Sequence, residues 1–205
     1  MNLKYNSWDK ITFSVWNKIE KLNDLEDDFE KNVALLAILA DVDEDTLLSL
    51  PLPQFAKLMA ETEFIQKMPN ATIKEEYVVN GNKYVVKINP QHFTVNQWVD
   101  YSTLSANMKE NKVRVLATVI LPKGKEYGNY DIEEVVKDIN DMPITDIFAI
   151  NAFFLLSYRA LLVGTLTFSV KKMKKIMKMK KLNEEQKMKI QQKITEMQQL
   201  INSYK

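Results

Sequence analysis

Ile11-Thr12-Phe13-Ser14-Val15-Trp16, near the start of the chain, and Phe93-Thr94-Val95-Asn96-Gln97-Trp98, near its middle, read as the same helix start. Each has an apolar residue, then a threonine, then a tryptophan four positions after the threonine. A threonine hydroxyl in that place accepts hydrogen bonds from the free N–H groups of the first turn. The apolar residue before it can staple onto the tryptophan at the fourth helical position. At the same offset of 82, Ala37-Ile38-Leu39 matches Val119-Ile120-Leu121, each ending an apolar helix. An acidic stretch then leads to Leu50-Pro51 in the first copy and to Met142-Pro143 in the second, at an offset of 92. A further helix is expected after each proline, starting near Phe55 and near Ile147. The ten extra residues of the second copy fit the turn-rich stretch 122–129.

Between the copies, Ile73-Lys74-Glu75-Glu76-Tyr77-Val78-Val79 and Tyr84-Val85-Val86-Lys87-Ile88 flank Asn80-Gly81. Asn-Gly supplies the two positive-φ positions of a type I′ turn, whose twist matches that of paired strands. Tyr77, Val79, Tyr84, Val86 and Ile88 alternate as one apolar face, so a hairpin is predicted over 73–88. A lone two-stranded hairpin is marginal in water, so it must lie on the helices or add to another chain's sheet. With only 4 Gly and 6 Pro in 205 residues, helix should dominate the rest. The expected fold is mainly α: a duplicated helical unit with one β-hairpin insertion and a C-terminal helical extension. Its parts are 1–70, 71–89, 90–168 and 169–205. Trp16 and Trp98 are expected at equivalent, largely buried core positions.

The net charge of +1 hides a segregation. Residues 20–45 hold ten Asp or Glu against two Lys, a net of −8; residues 171–193 hold ten Lys against two Glu, a net of +8. Asn183-Glu184-Glu185-Gln186 reads as a capping box that opens a last helix. Ile190, Ile194, Met197 and Ile201 then form one stripe. Lys171, Lys172, Lys174, Lys175, Lys178, Lys180 and Lys181 are the candidate protein-binding residues. The run has no Arg to read bases and no aromatic before Tyr204, which argues against sequence-specific nucleic-acid binding. A contact with an acidic protein surface, a solvated basic helix, or an anionic membrane or nucleic acid are the readings left. The matched acidic stretch favours protein contact, with 20–45 of another copy as the surface, and hence a homo-oligomer.

No residue pattern demands chemistry. Cys is absent, which excludes thiol nucleophiles, thiolate zinc sites and disulfides. The single His92 sits before a helix start without neighbouring acids, and reads as an exposed loop residue. Asp41-Val42-Asp43-Glu44-Asp45 resembles a calcium loop only at first sight: the sixth and twelfth positions, which need Gly and Glu, are Thr46 and Leu52. Asp43, Glu44 and Asp45 read instead as a capped acidic first turn. The side-by-side pairs Glu75-Glu76 and Glu133-Glu134 point to different faces and make no acid/base couple. No catalytic residue, metal site or cofactor is expected.

Residues 1–10 are polar and no apolar run with a cleavage site follows, so no signal peptide is expected. The apolar stretch 147–168 has spanning length. It carries Asn151 and Arg159, however, and a central Arg costs about 2.5–3.5 kcal/mol on insertion. It is read as a core helix, with Arg159 reaching solvent or a carboxylate.

The order of parts resembles a family. Trp8-Asp9-Lys10-Ile11-Thr12 starts a helix; an acidic helix and Leu50-Pro51-Leu52-Pro53 follow; then come the Asn-Gly hairpin, the second Thr…Trp start and Met142-Pro143-Ile144-Thr145-Asp146. Over residues 8–165 this is similar to phage tail assembly chaperones and related small proteins from phages of gut Bacteroidetes. The Lys/Met-rich end lies outside it. The resemblance implies a non-enzymatic helical protein that binds other phage proteins: tape-measure, tail or portal-region components. It would act in the host cytoplasm during assembly. An alternative is a structural or cargo protein kept within the virion. The 10 Met suit adaptable apolar contacts in either role.

Overall fold

Both threonine starts cap helices. The Thr12 hydroxyl accepts the Val15 N–H at 3.4 Å and opens α1 (Phe13–Lys21). Thr94 accepts the Gln97 N–H at 3.2 Å and opens α5 (Val95–Ser105). The structure, a computed structural model, describes residues 1–87, 89, 92–177 and 183–203, with the backbone alone for 154–162. The acidic stretch starts two more helices. Asp27 takes the Glu30 N–H at 2.7 Å to begin α2 (Asp28–Ala40). Asp43 takes the Thr46 N–H at 2.7 Å to begin α3 (Glu44–Leu48), the expected acidic first turn. Pro51 and Pro143 each directly precede a helix, α4 (Leu52–Glu61) and α8 (Ile144–Met177). Both start three residues earlier than expected, because the fixed φ of proline suits a first turn that follows at once.

The Asn80-Gly81 turn joins β1 (Tyr77–Val79) to β2 (Asn82–Val86), with φ of 52° and 83° as a type I′ turn requires. Tyr77 faces Tyr84 and Val79 faces Asn82. The first strand is shorter than predicted, since 73–76 stay outside the ladder. Lys74 pairs there with Asp146 at 2.6 Å, and Glu76 with Lys83 at 2.9 Å and with Lys123. Ile88 lies outside the described residues.

The hairpin has a third strand from its own chain. α6 (Met108–Val119) ends at Val119, and β3 (Ile120–Pro122) pairs antiparallel with β2, Leu121 facing Val85. The reading of Val119-Ile120-Leu121 as a helix end is therefore corrected, because the backbone turns extended at Ile120. An unbroken apolar run fits a buried helix and a buried strand equally, and periodicity does not separate them. Pro122, which lacks an N–H, is tolerated at the end of this edge strand.

α7 (Ile132–Asp141) packs on β1, β3, α1 and α6. The two landmark starts meet beside it. Phe13 donates its N–H to the Met142 carbonyl at 2.9 Å, and Ile144 donates to the Ile11 carbonyl at 2.8 Å, a two-bond bridge between Thr12 and Pro143. Ile11, Met142, Ile144, Ile147 and Ile150 are fully buried, as are Leu36, Leu39, Ile120, Leu121 and Ile139.

The chain divides into two compact units, Met1–Asn151 and Ala152–Lys205. The stretch expected as a core helix lies inside α8; Ile147 and Ile150 are buried as expected, whereas Phe153 and Phe168 are exposed. The Arg159 side chain lies outside the described residues. Among the described residues no helix is long and apolar enough to cross a membrane. In the second unit, Asn183 and Gln186 cap each other reciprocally, at 2.8 and 3.1 Å, to open α9 (Glu184–Ser203) as predicted. Ile194 is buried and Ile190, Met197 and Ile201 are half-buried, so the stripe is the inner face of α9.

Candidate protein-contact surfaces

The buried polar groups hold the fold. Asp138 on α7 is buried and accepts from Asn80 Nδ2 at 2.9 Å, Asn82 Nδ2 at 2.8 Å and Tyr84 Oη at 2.5 Å. Asn80 Nδ2 also reaches Asp141 at 3.0 Å. Burial works to raise the Asp138 carboxyl, but the hydrogen bonds from Asn82, Tyr84 and Asn80 outweigh it and hold it below the usual carboxylate range. Burial, and then the bond to Asp138, push the Tyr84 phenol up. Gln97, fully buried, donates Nε2 to the Thr118 carbonyl at 2.6 Å, while its Oε1 is buried without a partner. Among the described residues no His, Asp and Glu gather into a group able to hold a metal ion. His92 is exposed, as expected.

The two tryptophans of the paired starts have different surroundings. Trp16 is half-buried, its ring 5.4 Å from both Trp8 and Phe148. Trp98 is 45% exposed and packs on Tyr101 at 6.0 Å, so its assignment to the core is corrected. α5 turns Gln97 fully inward, and the next residue points about 100° away around the helix. Val95 and Val99 are exposed beside Trp98, which leaves an apolar helix face.

Trp8, which sequence reasoning did not single out as a core residue, anchors the N-terminus. Its Nε1 donates to the carbonyls of Phe64 and Lys67, both at 2.9 Å, and its ring meets Trp16, Phe64 and Phe148. Trp8→Phe keeps a ring but loses the donor. It is expected to cost about 1–2 kcal/mol, read as a lowered urea midpoint at unchanged slope.

Further exposed apolar side chains lie on α2, α3 and α4, in and just after the acidic stretch. Phe29 is 60%, Leu48 56% and Leu52 78% exposed, and Phe29 stacks on half-buried Phe55 at 6.1 Å. Of the ten carboxylates in 20–45, Glu20 pairs with Lys112 and Asp41 with Lys4. Asp27 and Asp43 cap helices. Asp24, Glu26, Asp28, Glu30, Glu44 and Asp45 are exposed and form no ion pair among the described residues.

Of the candidate lysines, Lys171, Lys172, Lys174 and Lys175 are exposed near the C-terminal end of α8, where the helix dipole favours cations, and form no ion pair among the described residues. Lys178, Lys180 and Lys181 lie outside the described residues. On α9, Lys187 pairs with Glu184 and Lys189 with Glu185, both at 2.6 Å. Lysine charge was legible as a count; the exposure of Phe29, Leu48 and Leu52 was not, because which apolar residues of a helix stay in solvent depends on what packs against it.

No protein-family model, no curated protein and no solved structure matches the chain.

Proposed function

We propose that this is a non-enzymatic protein of phage particle assembly, built on a duplicated helical unit, that works by binding other phage proteins as tail assembly chaperones do. The observation that carries the reading is the exposure of large apolar side chains: Phe29, Leu48 and Leu52 on three helices of which α2 packs against the other two, and Val95, Trp98 and Val99 on one face of α5. Exposed apolar patches of this kind are interaction surfaces when they are contiguous. The order of sequence landmarks over 8–165 supports the phage context. Tape-measure, tail or portal-region components are the partners, met in the host cytoplasm. The basic helical end, outside the resemblance and carrying its own capped helix, favours a second reading as a structural or cargo protein kept in the virion.

Mass spectrometry of finished particles and of tail precursors from infected cells tests both. A chaperone is expected with the precursors and absent from particles; cargo is expected abundant in particles. Absence from both preparations would overturn both readings.

A further inference from the structure

Phe29, Leu48 and Leu52 are exposed on α2, α3 and α4, where α2 packs against the other two and Phe29 meets half-buried Phe55. The acidic residues Asp24, Glu26, Asp28, Glu30, Glu44 and Asp45, on and beside α2 and α3, form no ion pair among the described residues. An occupant of this surface must offer apolar side chains and positive charge together. The chain itself supplies such a segment. In its second unit Phe168 is 67% exposed on α8, just before Lys171, Lys172, Lys174 and Lys175, which have no ion partner among the described residues, and Met188 is 69% exposed on α9. The two regions carry −8 and +8 in a chain whose total is +1, so their charges cancel. The cations are all Lys, point charges suited to several scattered carboxylates rather than to bidentate recognition of one.

We propose that the Phe29/Leu48/Leu52/Phe55 patch is the docking site for the basic helical end of a second copy of this chain. The inference rests on the reading of this protein as one that works by protein contacts, and it names one of its partners. The contact joins two different surfaces, so it either closes as a reciprocal pair or continues from copy to copy. Charge steers the encounter and is screened over about 8 Å at physiological salt; the apolar anchors hold the complex once formed.

Sedimentation velocity of the full chain is expected to show concentration-dependent association at low salt, weakened at least about tenfold at high salt. Two full-length variants locate the contact: one with Asp24→Lys, Glu26→Lys and Glu30→Lys, the other with Lys171→Glu, Lys172→Glu, Lys174→Glu and Lys175→Glu. Each alone should sediment as a monomer. An equimolar mixture should associate again, because each reversed surface then meets its complement on the other chain. Far-UV circular dichroism checks that both fold. Should either fail, Phe29→Ser with Leu52→Ser, at positions largely in solvent, must still weaken association of the otherwise natural chain about tenfold.

A full chain that stays monomeric at low salt overturns the proposal, and so does association unaffected by salt and by both sets of reversals. Docking within one chain would show as no association at any concentration and no gain on mixing, which also overturns it. A monomer still found with tail precursors or particles would leave the assembly reading standing. Association by a protein found in neither would remove that reading and keep this one.

Discussion

Asp138→Ala is expected to destabilise the protein by about 2–4 kcal/mol at neutral pH. The substitution removes the acceptor of three hydrogen bonds at once. Asn80 and Asn82 are exposed and can turn to water, but the Tyr84 hydroxyl is buried and loses the acceptor of its proton, with only the donating Asn82 amide beside it. Much of the cost lies in that stranded hydroxyl, so adding Tyr84→Phe to Asp138→Ala should recover about 1 kcal/mol, a coupling that a double-mutant cycle reads directly. The hydrogen bonds also set a pH dependence. A carboxyl whose folded pKa is depressed contributes stability that is present above its unfolded pKa and lost as pH falls through the folded one. Urea unfolding should therefore show the natural chain and Asp138→Ala furthest apart at neutral pH and converging below about pH 4. An unchanged gap across the acid range would remove the charged hydrogen bonds as the cause.

Ile144→Ala should cost about 2–5 kcal/mol, and Ile144→Val about 0.5–1.5. Ile144 is fully buried as the first residue of α8, and its N–H is held by the Ile11 carbonyl. Ile11, Met142 and Ile147 are fully buried close to it in sequence or across the bridge, so the site has little freedom to collapse around a cavity. Thermal unfolding is the measurement, and the contrast is Phe29→Ala on the exposed patch, expected within about 0.5 kcal/mol of the natural chain. Equal losses at both positions would mean that Phe29 is buried in solution, as it would be if the protein were already associated under the conditions used.

The sequence by itself determined the features whose partners lie within four residues. Thr12, Thr94, Asp43 and the Asn183/Gln186 pair cap helices because the accepting and donating groups are three positions apart. Asn80-Gly81 turns the chain because only such residues take two positive φ values cheaply. Only the tertiary structure decided the rest. Asp138 is one acid among many until the folded chain brings Asn80, Asn82 and Tyr84, 54 to 58 residues away, onto it. Ile120 and Leu121 become strand because β2 offers an open edge, and not through any local preference. Trp98 shares its motif with Trp16 but stays exposed, since burial depends on what packs opposite. The division between Asn151 and Ala152 falls inside an unbroken helix, where no turn, glycine or proline marks it. Local spacing settles hydrogen bonds across one turn; contacts between distant segments exist only once the whole chain has folded.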